Sequence, residues 1–326
     1  MSDSKVKIII LCGPTAVGKT ELALAIAEAF SCEIVGVDSM QVYRHMDIGT
    51  AKPTPAERRR VPHHLIDIVD PDDHYTLGRF IHDAEEAIRI ICEKEKTPLL
   101  AGGTGLYFRG LLKGVFHDTP PEDETGAEAA AGKKARLKDK LRQRVETEGN
   151  ETLHTELQKV DPESAARIHP NDTQRLLRAL EIFYSTEIPW SRHLAAQRRK
   201  DCRYDALKIG LTRPRRELYE RIDKRVAQMV EAGLLAEVEK LLALWYGPEL
   251  KAMQSIGYRH MLNFLDRTWS WEETLEKLAR DTRHYAKRQY TWFNSDPEIR
   301  WFKVGDDEEI FRAIETFTAL STVNQA

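Results

Sequence analysis

Gly13-Pro-Thr-Ala-Val-Gly-Lys-Thr20 is the stretch that decides the fold of this chain. It fits the P-loop pattern G-x-x-x-x-G-K-[ST] and lies between an apolar run at 6–11 and an Ala/Leu-rich run at 21–30. A strand, a glycine loop and a helix in this order bring backbone N–H groups and a helix N-terminus around a phosphate. Lys19 adds a positive charge, and Thr20 can reach a metal-bridged oxygen. The motif predicts a diphosphate or triphosphate site. A glycine-rich turn without a ligand does not explain the lysine at this junction.

The composition is that of a soluble globular protein with room for one large domain and a smaller one. The chain has 326 residues, of which 41% are hydrophobic and 31% are charged. A net charge of −3 gives no global attraction to nucleic acid, so such a partner would need local basic patches. No apolar run reaches the roughly 20 residues of a membrane span, and the first strand leaves no room for a signal peptide. The 4 cysteines lack C-x-x-C spacing, which argues against a zinc site or disulfides and suits a reducing cytoplasm.

Two further buried strands are predicted to end at the sheet edge that carries the P-loop. Residues 33–37 deliver Asp38 to that edge, and residues 97–101 deliver the glycine turn 102–105 with Thr104. Ligands of open α/β sheets bind at this edge, so Asp38 is expected near the bound phosphate. The alternative is that Asp38 merely caps a turn. A short strand at 64–69, a helix at 76–95 and a returning strand at 206–211 complete the predicted core.

The middle of the chain is predicted to be an inserted helical unit. Residues 118–135 are rich in Pro, Gly and acidic side chains and are expected to be flexible, which places a domain boundary there. A basic helix is predicted at 133–144, with an ordinary exposed helix face as the alternative. Asp172 is expected to cap a helix that packs four side chains inward, namely Leu176, Leu180, Phe183 and Tyr184. We therefore predict a P-loop NTPase-like α/β core, residues 1–115 and 201–326, with an all-helical insertion at 116–200.

Two positively charged patches follow the insertion. Arg221 and Arg225 are four residues apart on a predicted helix at 215–232, and they repel each other unless an anion lies between them. Pairing of Glu217 with Arg221 is the alternative. Further on, a capping box at 270–273 opens a long helix with a basic stripe and aromatic residues. This pattern suits phosphate contacts with base stacking, but it also occurs where a solvated face covers a core.

From these residues alone, two classes of function stay open. A small-molecule kinase would use the insertion as a lid, Arg221 and Arg225 as a phosphate clamp and Asp38 as a base. A nucleotide-gated switch would need a Walker-B strand, for which Asp70 offers little support. The sequence contains no guanine-reading N-K-x-D motif.

An ordered series of motifs resembles the bacterial form of the tRNA dimethylallyltransferase (IPP transferase) family. In chain order the series comprises the P-loop, Val37-Asp-Ser39 with Gln41 and Tyr43, Met46-Asp-Ile-Gly-Thr-Ala-Lys-Pro53, Gly102-Gly-Thr-Gly-Leu-Tyr107, Arg167-Ile-His-Pro-Asn-Asp172 with Gln174 and Arg175, Ser255-Ile-Gly-Tyr-Arg259, and Lys287-Arg-Gln-Tyr-Thr-Trp292. A P-loop alone occurs in many families, whereas this ordered series does not. The C-terminal zinc finger of eukaryotic relatives is missing.

The resemblance implies transfer of a dimethylallyl group from dimethylallyl diphosphate to N6 of the adenosine at tRNA position 37, with release of pyrophosphate. The P-loop would then hold the diphosphate rather than ATP, with Mg²⁺ bound at Thr20. The implied diphosphate-binding residues are Gly13, Pro14, Thr15, Ala16, Val17, Gly18, Lys19, Thr20 and Arg221. The implied catalytic residues are Asp38, as general base, and Thr104 and Arg225, which would neutralise charge as the C–O bond breaks.

The resemblance also implies a tRNA-binding surface and an adenine that leaves the anticodon-loop stack. The implied tRNA-binding residues are Asp38, Ser39, Met40, Gln41, Gln174, Arg175, Leu176, Leu177, Arg178, Gln254, Gly257, Tyr258, Arg259, Lys287, Arg288, Gln289 and Trp292. The helical insertion would clasp the anticodon stem. We expect a cytoplasmic monomer without membrane contact.

Overall fold

The computed structural model describes residues 5–114, 124–198 and 201–319. These residues divide into two compact units. One combines the chain up to Leu112 with the chain from Arg203 onward, and the other is Lys113–Cys202. The second unit is slightly wider than the helical insertion expected at 116–200.

A parallel sheet forms the centre of the first unit. Its strands are β1 (Lys7–Cys12), β2 (Cys32–Val37), β3 (His63–His64), β4 (Thr97–Gly102), β5 (Asp205–Thr212) and β6 (Arg300–Lys303). They lie in the order β3-β2-β4-β1-β5-β6, and every neighbouring pair is parallel. Gly102 is in register with both Cys12 and Val37, so β1, β2 and β4 end side by side. The predicted α/β fold with a P-loop-type core is confirmed.

Helices make up the rest of the described secondary structure in this unit. They are α1 (Lys19–Ala29), α2 (Pro55–Arg60), α3 (Leu77–Glu93), α4 (Gly105–Lys113), α9 (Arg215–Glu231), α10 (Leu234–Ala243), α11 (Tyr258–Leu265), α12 (Trp271–Phe293) and α13 (Asp307–Ala319). β1 and β2 are near-continuous apolar runs with no solvent-facing side, as is typical of strands buried on both faces. Within the described part of the chain, no helix is long and apolar enough to span a membrane.

The second unit is helical and has its own core. It contains α5 (Glu124–Val160), α6 (Pro162–Ala165), α7 (Thr173–Thr186) and α8 (Trp190–Arg198). Leu153 and Leu157 of α5 pack with Leu176 and Leu180 of α7. All described elements of this unit are helices, and they pack around a core separate from that of the sheet.

Two expectations for this unit need correction. The segment at 118–135 was expected to be flexible; residues 118–123 lie outside the described residues, but α5 already begins at Glu124. Asp172 caps α7 as predicted, accepting a hydrogen bond from the Arg175 N–H at 3.2 Å. Tyr184, however, does not pack inward and is 45% exposed, because the buried side of α7 continues through Ile182 instead.

The strand predicted at 64–69 is wrong for most of its length. β3 contains only His63–His64, because Leu65 and Asp67 take positive φ values of 62° and 56° and leave the extended conformation. Further along, Val69 forms an isolated parallel bridge with Tyr43, and this bridge lies outside the six strands of the sheet. The other elements predicted for the core, the helix at 76–95 and the strand at 206–211, are confirmed as α3 and β5.

A carboxylate is buried at the end of β2 that lies away from the P-loop. Glu33 is 1% exposed, and it accepts hydrogen bonds from Lys94 Nζ at 3.0 Å and Lys96 Nζ at 3.1 Å. His64 Nε2 lies 2.8 Å from the same carboxylate. Burial by itself would raise the pKa of Glu33, but the hydrogen bonds from these three side chains lower it to about 2.

We expect Glu33→Gln to lower the free energy of unfolding at pH 7 by roughly 1–3 kcal/mol, because charge-assisted hydrogen bonds are lost. A carboxyl group whose folded pKa is depressed contributes stability above its unfolded pKa and loses it as pH falls through the folded value. The difference between the two proteins in urea unfolding should therefore shrink as pH falls from 4.5 to about 2. Glu86→Gln, which removes an exposed ion pair with Arg89, is the control and should unfold like the wild type. A Glu33→Gln deficit that is independent of pH would contradict this account.

Candidate active site

The P-loop joins β1 to α1 and is shaped by a close approach to β5. Gly13 has a φ of 150°, and a Cβ atom there would lie 2.8 Å from the carbonyl oxygen of Leu211. Only glycine fits this position without moving β5. Gly18 is the N-cap of α1, so the N-terminus of that helix opens directly into the loop.

Lys19 closes the P-loop on itself. Its Nζ donates to the carbonyl oxygens of Gly13 at 2.9 Å and Pro14 at 2.8 Å. Burial, followed by the charge of Arg225, lowers the pKa of Lys19 to about 8, although the charge of Asp38 opposes this. A buried ammonium group that another cation destabilises is suited to binding an anion.

Arg221 and Arg225 of α9 both reach the P-loop. Arg221 Nε donates to the carbonyl oxygen of Ala16 at 2.9 Å, and Arg225 Nη1 lies 3.4 Å from Thr15 Oγ1. Burial and then the charge of Arg221 lower the pKa of Arg225. The pairing of Glu217 with Arg221, the alternative raised by the sequence, is not formed, so the two arginines add to the positive charge around Lys19.

Asp38 follows β2. It does cap a turn, which was the alternative to a role near the phosphate. Its Oδ1 accepts from the N–H groups of Met40 at 2.8 Å and Gln41 at 3.4 Å. Its Oδ2 forms no hydrogen bond within the described part of the chain. Burial raises the pKa of Asp38 despite these hydrogen bonds and the charge of Lys19. Asp38 thus combines a fixed orientation with a proton affinity above that of an ordinary aspartate, as a general base requires.

The second glycine turn places a buried hydroxyl group at the same edge. Thr104 donates its N–H to the carbonyl oxygen of Val37 at 3.2 Å, which ties the turn to the end of β2. Its Oγ1 is buried and meets the geometry of no hydrogen bond among the described residues, although the Tyr285 phenol lies beside it. A buried hydroxyl of this kind fits a ligand oxygen, because leaving it unpaired is unfavourable.

One cavity of about 390 Å³ opens at this edge. The predicted site residues that line it are Thr15, Ala16, Gly18, Lys19, Thr20, Asp38, Ser39, Met40, Gln41, Arg225, Gln254, Gly257, Arg259, Arg288 and Gln289. Apolar side chains, including Ile34, Ile66, Val226 and Met229, line it as well. The cavity therefore offers a cationic subsite, a carboxylate and an apolar wall.

A loop that the sequence singled out, residues 46–53, forms part of the cavity wall and is held by Glu237 of α10. The Glu237 carboxylate accepts from three successive N–H groups, those of Asp47 at 2.9 Å, Ile48 at 2.8 Å and Gly49 at 3.1 Å. The Tyr258 hydroxyl donates to the same carboxylate at 2.6 Å. The Tyr258 ring lies so close that a Cβ atom at Gly49 would be 2.4 Å from it. The loop is thus fixed by one carboxylate and one ring.

Comparison with known proteins identifies the family. A family profile described as IPP transferase matches residues 41–296, and a profile described as isopentenyl transferase matches residues 6–68. The chain belongs to the IPP transferase family. The resemblance seen in the sequence motifs is thereby confirmed.

Relatives of this IPP transferase match it over most of their length. The "tRNA dimethylallyltransferase 2" of Geotalea uraniireducens is 49% identical over 299 residues, which cover 92% of this chain and 93% of that protein. The "tRNA dimethylallyltransferase" of Desulfosudis oleivorans is 50% identical over 295 residues, 90% of each chain.

Solved structures are similar too. The tRNA isopentenylpyrophosphate transferase of Bacillus halodurans is 37% identical with a TM-score of 0.69, and the match covers 98% of this chain and 100% of that one. A eukaryotic dimethylallyltransferase acting on tRNA is 29% identical with a TM-score of 0.75, over 91% of this chain and 74% of that one.

Three of the residues expected to contact tRNA have buried side chains. Leu176 lies in the core of the helical unit, and Tyr258 is fully buried against the 46–53 loop. Gln289 is also buried. Its amide oxygen accepts a hydrogen bond from the Thr15 N–H, and its amide nitrogen donates to the Gly103 carbonyl oxygen. These three side chains face inward in this structure, because a motif that runs along a helix includes inward-facing positions as well as outward-facing ones.

The remaining predicted tRNA residues are accessible to different degrees. In the helical unit Gln174 and Arg175 are exposed, whereas Leu177 and Arg178 are half-buried. Arg175 pairs with Asp172 at 2.9 Å. In the first unit Lys287 and Arg288 are exposed, Arg259 pairs with Asp281 at 2.5 Å, and the Trp292 ring lies 4.6 Å from the Arg109 guanidinium.

Two residues near the site gave no usable signal in the sequence. Arg213 Nε donates to the carbonyl oxygen of Val17 at 2.8 Å, and Arg213 also pairs with Glu217 at 3.5 Å. Tyr285 of α12 lines the cavity, and burial followed by the charge of Asp38 raises the pKa of its phenol. The contact of Arg213 with Val17 and the proximity of Tyr285 to Asp38 join segments far apart in the chain, so only the folded structure reveals them.

The resemblance implies Mg²⁺. The described residues offer it the hydroxyl of Thr20 rather than a full set of protein ligands. Thr20 is exposed at the N-terminus of α1 and lines the cavity. Among the described residues no group of three or more His, Cys, Asp or Glu side chains could hold a metal ion. Mg²⁺ is commonly held by one or two protein oxygens together with substrate phosphates. The residues fit a cation that Thr20 and a bound diphosphate would share.

We expect Glu237→Ala to loosen the 46–53 loop, because three N–H groups and one hydroxyl lose their acceptor. Hydrogen–deuterium exchange should accelerate by about tenfold or more at Asp47, Ile48 and Gly49, while the strands keep their protection. Glu239→Ala changes an exposed residue of the same helix and should exchange like the wild type. Unchanged protection in the Glu237→Ala loop would show that the carboxylate does not hold it.

Proposed function

We propose that this protein transfers the dimethylallyl group of dimethylallyl diphosphate to N6 of the adenosine at tRNA position 37 and releases pyrophosphate. The observation that carries the proposal is the placement of Asp38, with its raised pKa, in one cavity with the positive charges of Lys19 and Arg225. Relatives named tRNA dimethylallyltransferase match 90% or more of the chain, and they favour prenyl transfer over the kinase hypothesis.

The P-loop end of the cavity would bind the diphosphate and stabilise it as a leaving group. The bond between the allylic carbon and the diphosphate oxygen breaks, and its electron pair stays on the pyrophosphate. Lys19 and Arg225 line the cavity in which that negative charge would grow. Arg221, bonded to the Ala16 carbonyl oxygen of the P-loop, adds charge nearby, and the buried Thr104 hydroxyl at the same sheet edge would be a further donor. Preorganised donors of this kind are each worth roughly 3–4 kcal/mol when the water is excluded. Mg²⁺ at Thr20 would supply additional charge neutralisation.

The apolar wall of the cavity suits the five-carbon chain. Ile34, Ile66 and Val226 line the cavity that also contains Asp38 and Thr15. A branched allylic chain placed against these side chains would be shielded from water, which would otherwise compete with the amine as the nucleophile.

Asp38 would accept the proton of the amine. The exocyclic amine of adenine is a weak nucleophile because its lone pair is delocalised into the ring. As the bond between N6 and the allylic carbon forms, the nitrogen becomes acidic, and Oδ2 of Asp38 has no competing hydrogen bond in the described structure. A positioned base of this kind typically contributes about 10²–10⁴-fold in rate.

The tRNA would present the adenine in a flipped conformation, since a stacked base cannot enter a cavity. Gln41, Gln254, Arg259 and Arg288 line the cavity and offer amide and guanidinium donors for the base and its flanking phosphates. In the helical unit, Arg175 is exposed and would be a separate contact for a phosphate. These local patches would bind RNA even though the net charge is −3.

The cellular setting stays a prediction. All four cysteines are free thiols, which supports the expected cytoplasmic location. We also propose that the protein acts as a monomer.

Incubation with dimethylallyl diphosphate, Mg²⁺ and unmodified tRNA should add one C5 unit to the adenosine 3′ of the anticodon, detected by mass spectrometry of nuclease digests. Asp38→Asn keeps an acceptor for the Met40 N–H but removes the base, so kcat should fall by about 10²–10⁴-fold while the donor KM changes little. Asp72→Asn, at an exposed position, is the matched control. ATP-dependent phosphoryl transfer without prenylation would sink the proposal.

The pH profile of kcat/KM for dimethylallyl diphosphate should have an alkaline limb near pH 8. Lys19 has a folded pKa lowered to about 8, so the charge that binds the diphosphate is present below this pH and is lost above it. The acid limb should belong to Asp38, which must be ionised to act. Lys19→Arg keeps its charge at every pH used, so the alkaline limb should vanish whatever its absolute activity. Persistence of that limb in Lys19→Arg would assign it to another group.

A further inference from the structure

A buried glutamine of α12 joins the two glycine turns of the candidate active site. Gln289 is 5% exposed. Its Oε1 accepts a hydrogen bond from the N–H of Thr15, in the P-loop, at 2.8 Å. Its Nε2 donates to the carbonyl oxygen of Gly103, in the turn after β4, at 3.0 Å. One side chain therefore connects segments 274 and 186 residues away in the sequence.

The chemistry of the bridge suits an amide. Thr15 supplies a donor and Gly103 an acceptor, so the bridging side chain must accept at one atom and donate at the other. The tight space favours the same conclusion, because a Cβ atom at Gly103 would lie 2.2 Å from Nε2 of Gln289. Both turns are thus fixed to α12 by direct bonds.

The bridge acts on groups assigned to the diphosphate. Since the Thr15 N–H is taken by Gln289, it is the Thr15 hydroxyl that remains directed toward Arg225, at 3.4 Å. Gly103 directly precedes Thr104, whose buried hydroxyl meets the geometry of no hydrogen bond among the described residues. The distance between these two hydroxyl groups, on two separate loops, is therefore set in part by one amide.

Adjacent residues of α12 hold further loops of the same edge. The Tyr290 hydroxyl lies 3.1 Å from Thr212 Oγ1 and accepts from the Arg213 N–H at 3.2 Å. The Trp292 ring occupies the space beside Gly105, where a Cβ atom would lie 2.0 Å from it. This part of α12 is therefore a structural support for the catalytic edge, whereas Lys287 and Arg288 on its other side are exposed.

We propose that Gln289 is a positioning residue for the diphosphate: it sets the P-loop against the Thr104 turn and does not bind tRNA. The inference rests on the proposed function, in which both turns contribute donors to the leaving group. Displacement of a positioned group by about 1 Å can lower the rate by about 10²-fold. Loss of the bridge should therefore weaken donor binding and slow turnover.

The test compares Gln289→Met, Gln289→Glu and Arg288→Ala in the full chain. For each variant, two dissociation constants are measured by calorimetry and filter binding: that of inorganic pyrophosphate with Mg²⁺, and that of unmodified tRNA. Gln289→Met keeps the volume but removes both bonds, and it should weaken pyrophosphate binding by about 10–100-fold while tRNA binding stays within about twofold of the wild type. Arg288→Ala should show the opposite pattern, with weaker and less salt-dependent tRNA binding.

Gln289→Glu provides a readout that loss of packing would not give. An ionised glutamate can accept from Thr15 but repels the Gly103 carbonyl oxygen, whereas a protonated glutamate can make both bonds. The ratio of pyrophosphate affinity between Gln289→Glu and the wild type should therefore rise toward one as pH falls, in protein shown by circular dichroism to be folded. Pyrophosphate and Lys19 titrate in the same way in experiments with both proteins. Taking the ratio of the two affinities therefore cancels their contribution to the pH dependence.

Two results would overturn the inference. Weakened tRNA binding with unchanged pyrophosphate affinity in folded Gln289→Met or Gln289→Glu would make Gln289 a tRNA contact. Unchanged affinity for both ligands would reduce the bridge to ordinary packing. Pyrophosphate is the probe because it reports on the P-loop even if wild-type protein fails to prenylate tRNA. Such a failure would remove the proposed function while leaving the Gln289 measurement interpretable.

Discussion

Burial disfavours the charged forms of Lys19 and Arg225, and a neighbouring guanidinium adds to the effect in each case: that of Arg225 acts on Lys19, and that of Arg221 acts on Arg225. The surrounding structure holds them there: carbonyl oxygens of the P-loop accept from Lys19, and α9 brings Arg225 to Thr15. Such an arrangement is relieved by a bound anion, because each cation then gains a partner. The geometry of the site depends on this need for an anion. A phosphate bound at the loop fixes the position of any reacting carbon attached to it.

The parallel sheet makes the arrangement possible. Strands that run in one direction deliver the residues following β1, β2 and β4 to one edge, so the P-loop, Asp38 and Thr104 meet although about 90 residues separate the first from the last. Helices from the second half of the chain then complete the site. α9 supplies the arginines, α10 fixes the 46–53 loop through Glu237, and α12 bridges the glycine turns through Gln289. The bonds of Arg221, Glu237 and Gln289 end on backbone groups, which is why the sequence of the loops alone does not show them.

Sequence reasoning succeeded where a local pattern forces a local structure. The P-loop, β2 with Asp38 and the capping box of α12 follow from periodicity, glycine placement and capping chemistry, and all are present as expected. It failed at β3, where positive φ values at Leu65 and Asp67 end a strand that composition favoured. The segment there bends because Asp67 pairs with Lys52 and Arg58, and such pairing cannot be read from neighbouring residues.

By itself, the sequence determined the fold class, the phosphate-binding loop and the family, because each rests on an ordered series of short motifs whose chemistry is local. Only the tertiary structure decided which residues of those motifs face the cavity and which support it. Gln289 and Tyr258 belong to motif segments expected to touch RNA, yet both are buried and bonded to loops far away in the chain. The physical reason is that about four consecutive residues of a helix point in all directions around its axis. The segments that pack against the helix decide which of these residues face solvent.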